Sequence, residues 1–112
     1  MVTDYLKEIY KALDDKLAAD IQVINVSEIT TVADYIVIAD AANVNQLDAI
    51  YDAVYDELAK YKIFPKTTEG NKNCGWILID YEDVIINLFT HEQRQFYSIE
   101  RIWKDGVDVN FE

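Results

Sequence analysis

Side chains able to perform nucleophilic or zinc chemistry are scarce in this chain. Cys74 is the only cysteine and His91 is the only histidine, so no intramolecular disulfide is possible, and a Cys/His zinc site would need more ligands than these two. A Cys74–His91 pair brought together by the fold stays open as an alternative, although a lone cysteine is more often a small buried hydrophobe. The residues therefore predict no catalytic set, no metal and no cofactor.

Carboxylates are abundant, and one group falls at a predicted turn. Asp80, Glu82 and Asp83 could bind Mg²⁺ through oxygen, but Asp is also favoured in solvated turns, which is the interpretation we prefer. Three glycines in the whole chain are too few for a phosphate-binding loop, whose backbone must approach the phosphates closely. A nucleotidyltransferase-related enzyme that binds nucleotide and Mg²⁺ near Asp80 or Asp83 is kept as the alternative function.

Aromatic residues are a more informative group. The chain has two Trp, eight Tyr and four Phe, and Trp76, Phe96, Tyr97 and Trp103 crowd one segment of it. Trp and Tyr are enriched at interface hot spots, where rigid rings fill pockets. Adjacent helical residues point about 100° apart, so Phe96 and Tyr97 are not both expected in the core. Surface contact and core packing stay equally open for Tyr97, whereas Trp103 is expected to pack.

Hydrophobic periodicity predicts three helices. Residues 3–19 form the first, with Thr3 or Asp4 as its cap and an apolar stripe of Leu6, Ile9, Leu13 and Leu17. Residues 43–61 form the second, which begins with a capping-box-like pair, Asn43 and Gln46. Thr90 and Gln93 form a capping box at the start of the third, whose apolar side consists of Phe96, Ile99, Ile102 and Trp103.

Five strands are predicted between and after these helices, at residues 21–26, 34–39, 64–68, 76–80 and 84–89. Residues 34–39 are apolar on both faces, as in a central strand covered on both sides. The last two strands form a hairpin with its turn at 81–83, and residues 69–73 are expected to be a polar loop. The order α-β-β-α-β-β-β-α predicts an α/β (α+β) domain, a mixed sheet with helices packed on it. We expect one domain over residues 1–103 and a short acidic tail over 104–112.

The charge of the chain restricts its partners. It has 21 acidic and 10 basic residues, a net charge of −11 at pH 7. Nucleic-acid binding requires Lys and Arg to neutralise phosphates, so direct contact with nucleic acid, or with an anionic membrane, is disfavoured. A basic protein partner suits this charge. The N-terminus lacks the pattern of a signal peptide and no apolar stretch reaches the ~20 residues that span a membrane, which favours a cytoplasmic location.

The segment from residue 69 to residue 103 resembles a known family signature. It contains Glu69-Gly70, then an unbroken run from Gly75-Trp76 through Asp80 and Asp83-Val84-Ile85-Ile86 to Phe89, then Arg94, Tyr97, Glu100 and Trp103 at fixed spacing. This pattern resembles the ribosomal silencing factor family, also called Iojap-like proteins. The strand at 34–39 and Gln46 at the start of the middle helix also match, so the resemblance extends from about residue 4 to residue 103.

The resemblance implies a translational repressor rather than an enzyme. Family members bind a large-subunit ribosomal protein, the fourteenth in large-subunit numbering, at the face that meets the small subunit. They block the joining of the subunits and lower translation when nutrients are scarce, and they are often homodimers when free. Their fold is like that of nucleotidyltransferases, without the catalytic residues. The partner-binding residues implied here are Trp76, Asn87, Phe89, Glu92, Arg94, Tyr97 and Glu100.

Three positions depart from the family pattern. Asn87 stands where the family usually has His, and it still offers one donor and one acceptor group. Asn43-Val44-Asn45 replaces a frequent Ser-Ser-Arg before Gln46, and Glu82 replaces a frequent Gly at the hairpin turn.

Overall fold

The computed structural model of the chain describes residues 2–97, 103–109 and 111, with only the backbone described at 72, 96 and 97. A 3₁₀ turn at Val2–Tyr5 precedes helix α1 (Leu6–Asp15), strand β1 (Ala19–Asn25), strand β2 (Tyr35–Ala41) and helix α2 (Val44–Ala59). Strand β3 (Thr67–Asn71), a 3₁₀ turn (Lys72–Cys74), strand β4 (Trp76–Asp80), strand β5 (Val84–Thr90), helix α3 (His91–Tyr97) and strand β6 (Val107–Asp108) follow. The predicted α+β class is confirmed.

One mixed sheet contains all six of these strands, in the order β3-β4-β5-β2-β1-β6. The central pair, β2 and β5, is parallel, and the other neighbouring pairs are antiparallel. β2 is buried along nearly its whole length, which confirms its prediction as a doubly covered strand. The predicted hairpin is also confirmed, since β4 and β5 pair from Trp76↔Phe89 to Asp80↔Ile85.

The two faces of the sheet carry different cores. On one face, α1 and α2 pack against apolar residues of the sheet and form the larger cluster. We call the opposite side the second face. Its core is a smaller cluster of Ile24, Val26, Ala33, Ile36, Ile38 and Phe89, against which Trp76, Ile85 and Trp103 also pack.

Helix α1 is shorter than the predicted helix 3–19 because the chain turns left-handed at Leu17, where φ is +63°. The amide groups of Leu17 and Ala18 bond back to the carbonyls of Asp14 and Leu13, at 2.9 and 3.0 Å, which closes the helix. Leu17 is 80% exposed and not part of the apolar stripe, so that prediction was wrong. The residue before α1 is Tyr5, which makes no side-chain capping hydrogen bond, and Thr3 and Asp4 lie within the preceding 3₁₀ turn, so neither of them is the cap residue of α1 that was predicted.

The cap predicted for α2 is confirmed. Asn43 accepts a hydrogen bond from the backbone N–H of Gln46 at 2.9 Å, and Gln46 Oε1 accepts one from the backbone N–H of Ala42 at 2.5 Å. The other end of Gln46 donates to the carbonyls of Lys16 and Leu17, at 3.0 Å each. Gln46 therefore joins the start of α2 to the turn after α1.

Strand β3 lies further along the chain than predicted, because residues 69–71 pair with β4 instead of forming a loop. Gly70 has φ +77°, and a Cβ atom there would collide with the backbone carbonyl of Trp76. Gly70 is thus a strand residue at a close backbone approach. Phe64, placed in this strand by the prediction, precedes it and is 57% exposed.

Part of the segment predicted as an acidic tail belongs to the sheet. Val107 and Asp108 pair with Asn25 and Ile24 of β1, and the amide of Val109 donates to the carbonyl of Val23 at 2.8 Å. The ring of Phe111 lies 5.6 Å from that of Tyr10 on α1. None of the helices in the described part of the chain has the length and apolar composition needed to cross a bilayer.

Candidate functional site

A tryptophan that stacks on a buried phenylalanine lies on the second face. Trp76 on β4 is in register with Phe89 on β5, and their rings stack with centroids 6.5 Å apart and planes 24° apart. Phe89 is 1% exposed, whereas Trp76 is only partly buried. The buried ring therefore holds the indole in place while part of the indole stays accessible, an arrangement typical of interface anchors.

Asn87 lies beside this stack, two residues before Phe89 and so on the same face of β5. It is in register with Ile38 of β2 and Leu78 of β4 and is 2% exposed. Its Oδ1 atom is buried without a hydrogen-bond partner among the described residues. A buried acceptor left unpaired costs roughly 1–3 kcal/mol, so this amide oxygen lowers the stability of the described structure.

Arg94 on α3 is 7% exposed and ties its helix to the sheet. Its Nη1 atom donates to Asp40 Oδ1 at 2.7 Å and to the carbonyl of Asp20 at 2.6 Å. Its Nη2 atom donates to Gln22 Oε1 at 3.1 Å. One guanidinium therefore connects α3 to both β1 and β2.

Asp40 is the buried partner of Arg94, with 2% exposure. Its second oxygen, Oδ2, lies 3.0 Å from Nδ1 of His91, a side chain that is 63% exposed. Both oxygens of this carboxylate are thus engaged, as a buried charge requires. A cavity of about 430 Å³ opens beside the group and is lined by Asp20, Ile21, Gln22, Asp40, His91, Arg94 and Gln95.

Glu92 is exposed at the start of α3 and lines a different cavity, of about 410 Å³. Cys74 and Gly75 lie on the same cavity wall. The Sγ atom of Cys74 lies 3.2 Å from the carbonyls of Asn71 and Trp76, while the imidazole of His91 lies against Asp40. The thiol of Cys74 and the imidazole of His91, considered above as a possible catalytic pair, therefore each contact a different group.

The structure brings four of the seven predicted partner-binding residues to the second face. Trp76, Asn87, Phe89 and Arg94 share it, and Glu92, at the start of α3, lines the cavity beside Cys74 and Gly75. Among these five, Trp76 and Glu92 offer accessible side-chain surface, while the other three are buried. The side chain of Tyr97 and all of Glu100 lie outside the described residues, as do Ile99 and Ile102 on the predicted apolar side of the last helix.

The residues of the hairpin turn make structural contacts, through a carboxylate at Asp80 and through the backbone at Asp83. Asp80 Oδ1 accepts the backbone N–H of Glu82 at 2.7 Å, and the carbonyl of Asp83 accepts the amides of Asp34 and Tyr35 at 2.8 and 3.1 Å. Glu82 has φ +72°, a conformation that favours Gly. Neither Asp80 nor Asp83 belongs to a group of three potential metal ligands in the described part of the chain.

Asp40, Asp20 and Gln22 are absent from the predicted site residues, whereas their neighbour Arg94 was predicted to bind a partner. One signal for them was available in the sequence: an aspartate inside the apolar run Ile38-Ala39-Asp40-Ala41 predicts a buried charge that needs a cationic partner. The identity of that partner was not predictable, because Arg94 is 54 residues away along the chain.

The sheet order defines a small mixed α/β domain, and the Trp76–Phe89 stack gives it a candidate binding face. Solved structures share this fold. A crystal structure of a protein from Chromobacterium violaceum superposes with a TM-score of 0.87, covering 93% of this chain and 87% of the other at 24% identity. One from Bacillus halodurans superposes with a TM-score of 0.84, covering 97% and 99% at 27% identity. The likeness to the first shows the fold alone.

A family model described as "Ribosomal silencing factor during starvation" matches residues 2–112, so the chain belongs to the ribosomal silencing factor family. The factor RsfS of Bacillus subtilis is 33% identical over 95% of this chain and 92% of its own length. RsfS of Zymomonas mobilis is 35% identical, over 90% of this chain and 76% of its own. The chloroplastic protein Iojap of Arabidopsis thaliana is 34% identical over 91% of this chain, which covers 42% of that longer protein.

Membership confirms the resemblance drawn from the signature residues. The family name describes a regulatory factor that acts on ribosomes, which agrees with the expectation of a non-enzymatic role. The particular ribosomal protein that is bound, the residues that bind it and the oligomeric state go beyond what the family name states.

Proposed function

We propose that this chain represses translation by binding the fourteenth large-subunit ribosomal protein at the intersubunit face, which prevents the small subunit from joining. Repression operates in the cytoplasm under nutrient limitation, and the free chain is a homodimer. Family membership supports the ribosome as the target. The observation that carries the site assignment is the Trp76–Phe89 stack, a partly accessible indole held by a buried ring.

The second face supplies the other elements of a protein-binding surface. Glu92 offers an exposed carboxylate at the start of α3, and the net charge of −11 attracts a basic ribosomal protein and repels rRNA. The buried Oδ1 of Asn87 is an acceptor that a donor entering this face would satisfy. Phe89 and Arg94 hold the surface in shape from beneath, and Tyr97 and Glu100 complete the proposed set.

Co-sedimentation with purified large subunits tests the assignment. Trp76→Ala is expected to weaken binding by about thirty-fold or more, since loss of a hot-spot aromatic costs 2 kcal/mol or more. Phe64→Ala is the matched control, because it removes an aromatic that is 57% exposed but does not belong to the second face. A thermal melt of each variant establishes that it is folded.

The proposal would be overturned if folded Trp76→Ala co-sedimented as well as the parent chain, or if Phe64→Ala lost binding equally. The blocking step has its own readout: small subunits added to the complex should form fewer joined ribosomes on a sucrose gradient. Tight binding to the large subunit with unchanged subunit joining would support the proposed binding surface but refute the proposed block of subunit joining.

A further inference from the structure

Three potential metal ligands meet beside the 430 Å³ cavity. One carboxylate oxygen each from Asp20 and Asp40 and one imidazole nitrogen of His91 all lie within 4.8 Å of one another. No other such group occurs within residues 2–97, 103–109 and 111. Two carboxylates with one imidazole form a ligand set suited to Zn²⁺ and similar transition-metal ions, whereas Mg²⁺ and Ca²⁺ prefer oxygen alone.

The three ligands come from three elements, β1, β2 and α3. An irregularity in the backbone of β1 directs Asp20 toward the other two ligands. The pairing of β1 with β2 shifts register between Ala19 and Gln22, and Asp20, within that irregularity, has φ +47°. Bulges of this kind re-aim side chains, and Asp is among the residues that tolerate such a φ. Asp40 lies near the end of β2, and His91 is the first residue of α3.

The distances are within reach of a bound ion. Tetrahedral bonds of about 2.0–2.2 Å hold ligand atoms about 3.4 Å apart, and the contact from His91 Nδ1 to Asp40 Oδ2, at 3.0 Å, is already shorter than this. Bringing all three ligand atoms to that spacing needs side-chain shifts of up to about 1.4 Å, which the exposed side chains of Asp20 and His91 permit by rotation. The fixed member is Asp40, which is 2% exposed.

Arg94 orients one member of this group, Asp40, without itself being a metal ligand. It holds Asp40 through Oδ1 at 2.7 Å and leaves Oδ2 facing His91, so the two carboxylate oxygens have separate roles. Hydrogen bonds of this kind orient a metal ligand before the ion arrives. With both carboxylates ionised and Arg94 charged, the group is net negative by one charge when His91 is neutral, so it still attracts a divalent cation.

We propose that Asp20, Asp40 and His91 bind a single Zn²⁺-class ion, with water from the open cavity completing its coordination. The bound ion would join β1, β2 and α3 at the same place where Arg94 already joins them. This proposal is independent of ribosome binding.

Isothermal titration calorimetry of ZnCl₂ into the full chain at neutral pH tests the site. The parent for every variant is Cys74→Ser, because the exposed thiol of Cys74 is a competing zinc ligand. One ion per chain is expected, with affinity falling at least tenfold in Asp20→Asn and in His91→Gln, since even outer-shell losses cost 10–100-fold. Both residues are exposed, so the variants should remain folded.

Glu92→Gln is the matched control, because it removes a carboxylate adjacent to His91 that does not belong to the group. It should retain full affinity. Since His91 is the only histidine, its imidazole NMR signals report directly on Zn²⁺ contact and should move on titration. The site does not exist if Zn²⁺ fails to bind at millimolar concentration, if the His91 signals stay fixed, or if Asp20→Asn and His91→Gln bind as tightly as Glu92→Gln.

Discussion

At the residue scale, the Arg94–Asp40 pair shows how a predicted surface residue becomes an internal one. The family signature suggested that Arg94 contacts a partner, yet its guanidinium is buried and satisfied by Asp40, Gln22 and a backbone carbonyl. Burying an ion pair gains little free energy by itself, but removing one member strands the other charge. Arg94 therefore has a strong structural role beneath the second face.

Substituting Arg94 by Met should lower the free energy of unfolding by about 3–5 kcal/mol, because the buried charge of Asp40 loses its guanidinium partner and keeps only the contact with His91. The double variant Asp40→Asn/Arg94→Met should lose less than the sum of the two single variants. Urea unfolding of the parent chain, the two single variants and the double variant measures these losses of unfolding free energy. Lys60→Met is the control: it breaks the exposed Lys60–Glu57 pair (2.8 Å) and should leave the unfolding midpoint essentially unchanged. Additive losses in the cycle would contradict the coupling.

The candidate site was only partly predictable from the sequence. Trp76 and Phe89 could be placed on one face, since residues of a hairpin strand alternate faces and the hairpin was clear. The surroundings of Asp40 could not, because Asp20 and Gln22 on β1 and His91 and Arg94 on α3 come from elements that are distant from β2 along the chain. Periodicity describes each element alone and contains no information on which elements meet.

At the element scale, the predictions succeeded where a segment was long or uniformly apolar and failed at its ends. The bounds of α2, β4 and β5 are correct within a few residues because periodic burial determines them. The helix over 3–19 was extended too far because Leu17 fits the apolar period, and its left-handed backbone has no signature in a leucine. Strand β3 was displaced because Gly70 was interpreted as a loop residue, when a neighbouring backbone required it within a strand.

Gly70→Ala should destabilise the chain by more than about 2 kcal/mol, because the added methyl group meets the carbonyl of Trp76 at a left-handed φ. The loss should be largest at the β3–β4 pair, where hydrogen exchange of the β4 amides reports it. Thr68→Ala, an exposed change in the same strand, is the matched control and should cost no more than about 0.5 kcal/mol. Equal effects of the two substitutions would show that the close approach at Gly70 carries no strain.

At the scale of the whole molecule, the last strand decides how one side of the sheet ends. β6 pairs with β1 and the ring of Phe111 packs near Tyr10, so β1 is not an open edge over the paired residues. Open strand edges are templates for association with other chains. The predicted boundary between a domain at 1–103 and a tail at 104–112 can therefore be tested by shortening the chain.

A chain ending at residue 106 should lose about 2–4 kcal/mol of stability, from the backbone bonds of β6, the bond from Val109 to Val23 and the packing of Phe111. It should also associate as concentration rises, because β1 becomes an edge. A chain ending at residue 109 keeps the strand and should lose less. Urea unfolding and light scattering of the three lengths measure both effects. If the shortest chain matched the full chain in both, residues 107–112 would be a dispensable tail.

The central parallel pair also determines when this molecule can fold. Each residue of β2 is matched to one on β5 that comes 49 positions later, from Tyr35↔Val84 to Ala41↔Thr90. Pairings so distant in sequence close a long loop before they gain any contact free energy, which slows folding. During synthesis, the middle of the sheet stays incomplete until β5 has emerged. The face that carries Asn87 and Phe89 is therefore among the last parts of the sheet to form, because both residues lie on β5.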